Sequence, residues 1–474
     1  MDTVKLIGLD FGTTTSSAVI ASAELLPNAA TGRTEPGNLR ECYRSEIVFT
    51  PYSGNSLDLT RLSEYLDAWL TAGAVRAEEI FGGGALLTGL AAQKDNAPAL
   101  VNLIRQRVAD ALIASADDPS LESWLAFMGS CARLSRDHPE TRFVNLDIGG
   151  GTTNLALGRN GEVLSTGCLY LGARHIKVVP GTYRIVELSP YARRLLQHLG
   201  IDKDQGAELV RHEVEAVLDF YVLLLEAALT GRHSVFEEPV ARLHQQVAFK
   251  PEPLSGNADQ VVVTLSGGVG ELVYAAVQGE ARQPTTYFGD LGIDLAARLL
   301  DASPWSAHFR HYRPAGKGRA TVYGLLRHST QVSGSTLFLP DASFLPLRNL
   351  PILGTITRTT SESQLRDLLD MVQRSSTGGC LQIRLSERGP ASVRQVGTRI
   401  ARELKARGFP ASQPLVFLVA ENLGKALGQY ISQWGALPLK FAVLDEINIP
   451  DAQYVHLGRL HNHVIPVSFH GIQA

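Results

Sequence analysis

Apolar and polar positions change period repeatedly along the chain. Leu6-Ile7-Gly8-Leu9 runs unbroken into Asp10-Phe11-Gly12-Thr13-Thr14-Thr15-Ser16-Ser17, and Ala18-Val19-Ile20 resumes the apolar run. Two apolar runs around a turn of acid, glycine and hydroxyls predict a β-hairpin. Residues 26–38, rich in Pro, Gly, Asn and Thr, read as a loop, and 43–52 as a strand centred on Ile47-Val48-Phe49. Leu62, Leu66, Trp69 and Leu70 fall on one side of a helix over 59–71. Residues 80–89 read as a strand-like piece. Its run Gly82-Gly83-Gly84 fits either close backbone approach or a mobile turn. A helix is expected over 97–114.

Phe143-Val144-Asn145-Leu146-Asp147-Ile148-Gly149-Gly150-Gly151-Thr152-Thr153-Asn154 repeats the opening pattern, with the two acids 137 positions apart. Self-similarity at that distance predicts two related lobes, each opening with its own hairpin. A helix is expected over 206–230, then a buried strand, a tight glycine turn and a helix start in Val261-Val262-Val263-Thr264-Leu265-Ser266-Gly267-Gly268. Residues 319–324 form a further short element. The Pro-containing stretch 339–351 reads as a boundary. Beyond it helical patterns at 361–374, 393–406 and 423–434 alternate with apolar runs at 381–385, 415–420 and 439–444, as in an α/β domain with a partly parallel sheet. The expected division is 1–140, 141–338 and 339–474.

Composition narrows the class. At 474 residues there is material for about three domains. With 19% charged and 45% hydrophobic residues the chain reads as soluble and globular. A net charge of −3 gives no reason to expect nucleic acid. Cys42, Cys131, Cys168 and Cys380 are too scattered for a disulfide framework or a paired metal spacing, so a cytoplasmic protein is expected. Met1-Asp2-Thr3 leads directly into a strand without a basic region and an apolar leader. The most apolar long segment, 216–229, is too short and too charged nearby to span a bilayer, so no membrane is expected.

The candidate chemistry lies in the repeated turns. Asp10 and Asp147 would approach one cleft from opposite lobes and face a hydrated Mg²⁺. Thr13, Thr14, Thr15, Thr152 and Thr153 could donate to phosphate oxygens, while Gly12, Gly149, Gly150, Gly151, Gly267, Gly268 and Gly270 admit close backbone approach. Such a site suits phosphoryl transfer or hydrolysis, with Asp10 and Asp147 as catalytic carboxylates and Asp147 preferred for orienting water. The blander reading is that each acid caps a glycine turn. A Gly-x-x-x-x-Gly-Lys-Ser/Thr loop is absent from the sequence. His461-Asn462-His463 reads as surface, Ser266 lacks the Gly-x-Ser-x-Gly context of a nucleophile, and Cys131 and Cys168 read as core thiols. Arg174, His175 and Lys177 read as a solvated basic face rather than an anion site.

Leu9-Asp10-Phe11-Gly12-Thr13-Thr14-Thr15-Ser16, Asp147-Ile148-Gly149-Gly150-Gly151-Thr152-Thr153-Asn154 and Leu265-Ser266-Gly267-Gly268-Val269-Gly270-Glu271 resemble the two phosphate motifs and the adenosine motif of the actin-like ATPase superfamily. Leu86-Leu87-Thr88-Gly89-Leu90-Ala91-Ala92-Gln93-Lys94-Asp95-Asn96-Ala97, Arg319-Ala320-Thr321-Val322-Tyr323-Gly324 and Gln331-Val332-Ser333-Gly334-Ser335-Thr336 resemble the ethanolamine ammonia-lyase reactivating proteins, the EutA family. The resemblance implies an α/β, two-lobed actin-like ATPase fold of duplicated RNase H-like lobes with a C-terminal α/β domain. It implies ATP and Mg²⁺ as ligands, Glu271 in the adenosine motif, and a chaperone-like role in releasing damaged cobalamin from inactivated lyase. Cobalamin would be handled through the partner, the large and small subunits of ethanolamine ammonia-lyase. A homodimer and association with a bacterial microcompartment stay open. A small-molecule kinase and an actin-like scaffold are the rival readings. The sequence departs from the pattern at two places: no lysine follows the first turn, which reads Thr15-Ser16-Ser17-Ala18, and Leu90 stands where the family pattern has an acid.

Overall fold

The computed structural model describes residues 2–27, 33–108, 112–115, 119–250, 261–334, 336–385, 389–410, 412–437 and 439–472. The first lobe contains β1 (Thr3–Phe11), β2 (Thr15–Pro27), β3 (Thr34–Arg44), α1 (Leu59–Ala72), β4 (Ile80–Leu87), α2 (Ala97–Arg107) and β5 (Leu112–Ser115), and α3 (Pro119–Ser130) leads out of it. Its sheet runs β3-β2-β1-β4-β5, antiparallel through β1 and parallel from β1 to β5. β1 buries both faces, which is why Val4, Leu6, Ile7 and Leu9 do not alternate with polar residues.

Three local expectations are corrected here. The loop expected over 26–38 is mostly strand, since β2 reaches Pro27 and β3 starts at Thr34; residues 28–32 lie outside the described ones. The strand expected over 43–52 is broken: Tyr43 and Arg44 end β3, Val48–Phe49 pairs with the start of β2, and Tyr52 pairs with Leu57. The helix expected over 97–114 ends at Arg107, and Leu112–Ser115 forms β5, because the sheet supplies β4 with a parallel partner there. The glycine run of β4 serves close approach: a Cβ on Gly83, at φ +94°, would lie 1.9 Å from the Ile7 carbonyl oxygen.

The second lobe contains β6 (Arg142–Ile148), β7 (Thr153–Arg159), β8 (Glu162–Leu169), α4 (Arg211–Leu229), β9 (Gln245–Val247), β10 (Val261–Ser266), α5 (Gly267–Val277) and α6 (Gly292–Ala302). Its sheet runs β9-β8-β7-β6-β10, with β6 antiparallel to β7 and parallel to β10. The duplication holds at the level of register. Asp10 faces Ser17 and Asp147 faces Asn154; Gly12 N–H donates to the Thr15 carbonyl at 2.9 Å, and Gly149 N–H to the Thr152 carbonyl at 3.0 Å.

The helix α7 (Ala320–His328) returns from the second lobe to lie on β1 and crosses α3. The two helices meet backbone to backbone. A Cβ on Gly129 would stand 1.8 Å from the Ala320 carbonyl oxygen, and one on Gly324 would stand 2.2 Å from that of Leu125.

The C-terminal part contains β11 (Leu347–Thr357), α8 (Glu362–Arg374), β12 (Gly379–Arg384), α9 (Pro390–Arg407), β13 (Leu415–Val419), α10 (Gly424–Ile431), β14 (Phe441–Leu444), β15 (Ala452–Leu457) and β16 (Pro466–Ile472). β11 to β14 are parallel, and β15 and β16 extend the sheet antiparallel from β11. The stretch 339–351 also carries structure: β11 begins within it, with a register irregularity between Leu347 and Leu350 and Pro351 facing Tyr454. The strand Gln331–Val332 pairs with β16, and Phe338 bridges to Val443, so the third sheet takes in residues ahead of 339. Val464 packs with Val4, Leu6, Val19, Val322 and Val332, seating this part on the first lobe. Among the described residues no helix is long and apolar enough to cross a membrane.

Candidate functional site

β1 and β6 deliver Asp10 and Asp147 to turns that touch across the cleft, where a Cβ on Gly150 would lie 1.9 Å from Thr14 Oγ1. Asp10 Oδ2 accepts a 2.9 Å bond from Thr321 Oγ1 at the start of α7. Its Oδ1 is buried and has no donor among the described residues. Burial pushes the Asp10 carboxyl up to about 7, with the Thr321 bond opposing and the Asp147 charge adding.

Asp147 is held by a directed chain of side chains. Ser266 Oγ donates to Asp147 Oδ1 at 2.5 Å, Asn145 Nδ2 donates to Ser266 Oγ at 2.8 Å, and Thr264 Oγ1 donates to Asn145 Oδ1 at 3.2 Å. Cys131 Sγ lies 2.9 Å from Thr264 Oγ1 and completes the chain as a donor, since the Thr264 hydrogen is already committed. Burial raises the Asp147 carboxyl to about 6, against the lowering effect of Ser266.

A third acid, Glu122 on α3, faces both. It is buried, and burial together with the Asp10 and Asp147 charges holds its carboxyl well above the usual range, although Asn154 and Thr88 bond to it. Its neighbours Leu121 and Leu125 are core residues, so an acid amid an apolar helix pattern is the signal available in sequence. Thr321 and Ser266 reach the two aspartates only through the fold, and no spacing in the sequence marks either as their hydrogen-bond donor.

A cavity of about 690 Å³ opens on the turns, a volume within the range of small-ligand sites. Thr14, Thr15, Gly149, Gly150, Gly268 and Glu271 line it, and Leu272, Ala275, Ala276, Ile293, Ala296 and Leu300 form an apolar end between α5 and α6. Thr13 and Thr152 are buried beside Gly89, and Gly12 closes the first turn. Gly267, at φ +74°, has no room for a Cβ, which would lie 2.6 Å from the Ile148 carbonyl oxygen. Gly270 lets α5 pack on Leu265.

Two expectations change. Thr153 does not face the cleft: it is fully buried and its hydroxyl donates to the Leu171 carbonyl at 2.8 Å. The segment from Arg174 to Lys177 is not a solvated basic face, because the chain folds it under the second turn. His175 is fully buried, with Nε2 2.9 Å from the Gly151 carbonyl and Nδ1 2.8 Å from Ser189 Oγ. A carbonyl only accepts, so Nε2 carries the proton and Nδ1 accepts from Ser189. Burial pulls this imidazole down to about 3, so it stays neutral and fixes the Gly151 turn.

Among the described residues no three His, Cys, Asp or Glu side chains are grouped to cage a metal. Asp10 and Asp147 suit instead a cation that keeps most of its water.

Two sheets of one register, joined by crossing helices around an acid-lined cleft, define a two-lobed actin-like ATPase fold. The family model described as "Ethanolamine utilisation protein EutA" matches residues 2–472, and the chain belongs to the EutA family. It is 29% identical over 458 residues to the ethanolamine ammonia-lyase reactivase EutA of Salmonella typhimurium, covering 95% of this chain and 94% of that protein. It is equally 29% identical over 464 residues to the reactivase of the same name from Escherichia coli, with the same coverage. Among solved structures, a PPX-GPPA enzyme of Aquifex aeolicus is 13% identical, with a TM-score of 0.36 over 68% of this chain and 89% of that one. The ethanolamine utilization protein EutJ of Carboxydothermus hydrogenoformans is 14% identical, with a TM-score of 0.30 over the same shares.

Proposed function

We propose that this protein is a reactivating factor for ethanolamine ammonia-lyase that binds ATP with Mg²⁺ between its lobes. Its cycle would release damaged cobalamin from the inactivated lyase, so that intact adenosylcobalamin rebinds. The names of the two reactivase relatives support the partner. The observation that carries the nucleotide reading is the pair Asp10 and Asp147 on matched turns beside one cavity, with Asp10 Oδ1 buried and lacking a donor among the described residues. An acceptor left bare in this way suits a cation or a water bound to one.

Asp10 and Asp147 would hold the cation through water. Bound Mg²⁺ would neutralise phosphate charge. Thr14 and Thr15 hydroxyls and the N–H group at Gly150 would orient the phosphates, and the apolar end at Leu272 and Ile293 would take the base. Glu122 is placed to orient water and accept its proton. Burial is the main cause that raises this carboxyl and the Asp10 and Asp147 charges add to it, so a cation that neutralises the two aspartates would make Glu122 a readier base in the loaded cleft. Switching requires that the lyase bind the two nucleotide states with different affinity.

The test is reactivation of inactivated ethanolamine ammonia-lyase with ATP, Mg²⁺ and fresh adenosylcobalamin, beside nucleotide titrations. Asp10→Ala is expected to weaken Mg²⁺-dependent ATP binding at least ~10-fold and to abolish reactivation. Glu122→Gln should bind ATP normally but hydrolyse it ~10²–10⁴-fold more slowly. Full reactivation by Asp10→Ala would remove that acid from the mechanism. A phosphorylated metabolite as product would make the protein a kinase, and nucleotide-dependent sedimentation would make it a scaffold.

A further inference from the structure

The first turn lacks a lysine, and a polyphosphate carries more charge than one divalent cation offsets. We propose that Arg174 is the phosphate-binding cation of the cleft, supplied by the second lobe and parked on Phe49 of the first. The placement begins with the backbone: Arg174 N–H donates to the Gly150 carbonyl at 2.7 Å, and Arg174 Cδ lies 3.5 Å from where a Gly150 Cβ would stand. The side chain is thereby carried over the second turn, between Phe49 and Asp290, both of which line the cavity.

The guanidinium is under-committed there. Its Nε is 3.9 Å from Asp290 Oδ2, beyond hydrogen-bond range, and is buried without an acceptor among the described residues. Asp290 attracts the guanidinium by charge alone: its Oδ1 accepts from Gly292 N–H at 2.9 Å, and burial raises its carboxyl while the Gly292 bond and the Arg174 charge oppose that rise. The remaining partner is the Phe49 ring, whose centroid is 5.5 Å from the guanidinium carbon and whose side chain is otherwise on display, Phe49 being 56% exposed. The side chain as a whole is 19% exposed but Nε is buried, and a purely structural arginine would have that buried N–H bonded. A fork of donors with a bare Nε matches a phosphate, which accepts two parallel bonds.

The parking contact has a second member. Lys177 Nζ lies 5.6 Å from the Tyr52 ring, so two cations of the second lobe rest on two rings of the first. Capture of Arg174 by an anion would withdraw it from Phe49 and loosen this clasp between lobes. The stacked contact competes with phosphate, so removing the ring should strengthen phosphate binding.

This inference rests on the phosphate-binding reading of the cleft but not on the base or on the lyase. The probe is inorganic tripolyphosphate, titrated alongside Mg·ATP and adenosine into wild type, Arg174→Gln, Arg174→Lys, Phe49→Ala and the Phe49→Ala/Arg174→Gln double variant, each checked for an unchanged thermal transition. Arg174→Gln is expected to weaken tripolyphosphate and ATP at least ~10-fold while leaving adenosine unchanged, and Arg174→Lys to recover part of the loss. Phe49→Ala should tighten tripolyphosphate roughly 2–5-fold in wild type and do nothing in the Arg174→Gln background. Equal tripolyphosphate affinity of wild type and Arg174→Gln overturns the assignment. If ATP still binds in that case, the nucleotide reading survives; a wild type that binds neither ligand overturns both. If Phe49→Ala weakens tripolyphosphate, the ring belongs to the site and the parking idea fails.

Discussion

Three carboxyl groups share one cleft, and Asp10 among them has a buried oxygen with no donor among the described residues. Asp10 titrates at 3.8 in an ordinary setting and at about 7 in the fold. Between those values the folded chain holds a proton that the unfolded chain has released, so stability falls as pH rises from about 4 to 7. Asp147, raised to about 6, acts in the same direction over a narrower window. Asp10→Asn removes the larger part of this dependence. In metal-free buffer at pH 8 the variant should be more stable than wild type by on the order of 1–3 kcal/mol, and the two should converge near pH 4. Urea midpoints across that range check it; a wild type that gains stability toward pH 8 would mean the carboxylates are well solvated. The two aspartates are legible in sequence because the turn occurs twice. Glu122 is not, since one acid on an apolar helix has no spacing to mark it and acquires its role only when α3 is laid between the lobes.

At the scale of elements, the hairpins and the later helices follow from period and turn chemistry, and their register is set by a pair of glycine turns of identical bonding. Residues 97–114 show where local pattern loses to tertiary demand. Leu112-Ile113-Ala114 is apolar in either period, and only the parallel edge of β4 decides that it is strand. Gly129 and Gly324 show the same limit, for a glycine within an apolar helix looks merely weak until its partner backbone is known. Gly129→Ala should cost about 2–3 kcal/mol, because the added carbon would meet main-chain atoms of α7, the Ala320 carbonyl and the Gly324 nitrogen, and no side chain that could swing aside. Denaturant titration checks it, and a neutral result would mean that α3 and α7 separate easily.

For the whole molecule, the third sheet is bound into the lobes and is not appended to them. Its edge strand is Gln331–Val332, Ser333 N–H donates to the Ile465 carbonyl at 2.9 Å, and Thr330 Oγ1 links Gly83 N–H of the first lobe at 2.8 Å. A shortened chain ending at Phe338 would leave that edge unpaired and uncover Val332 and the β1 face beside it. Such a chain should aggregate or bind a hydrophobic dye, as gel filtration and dye fluorescence would report; a monomeric, cooperatively folding 1–338 chain would show the lobes to be self-sufficient. The crossing of α3 and α7 bears differently on the motion of the lobes. At its centre, main chain meets main chain through Gly129 and Gly324, so no side chain need change rotamer there, while on its flanks Leu121 and Leu125 pack with Leu325, and Trp124 meets the edge of His328. The joint is smooth at its centre and toothed at its flanks, so a rotation of the lobes would pivot about the paired glycines, with resistance shared between those flanking side chains and the rim of the cleft.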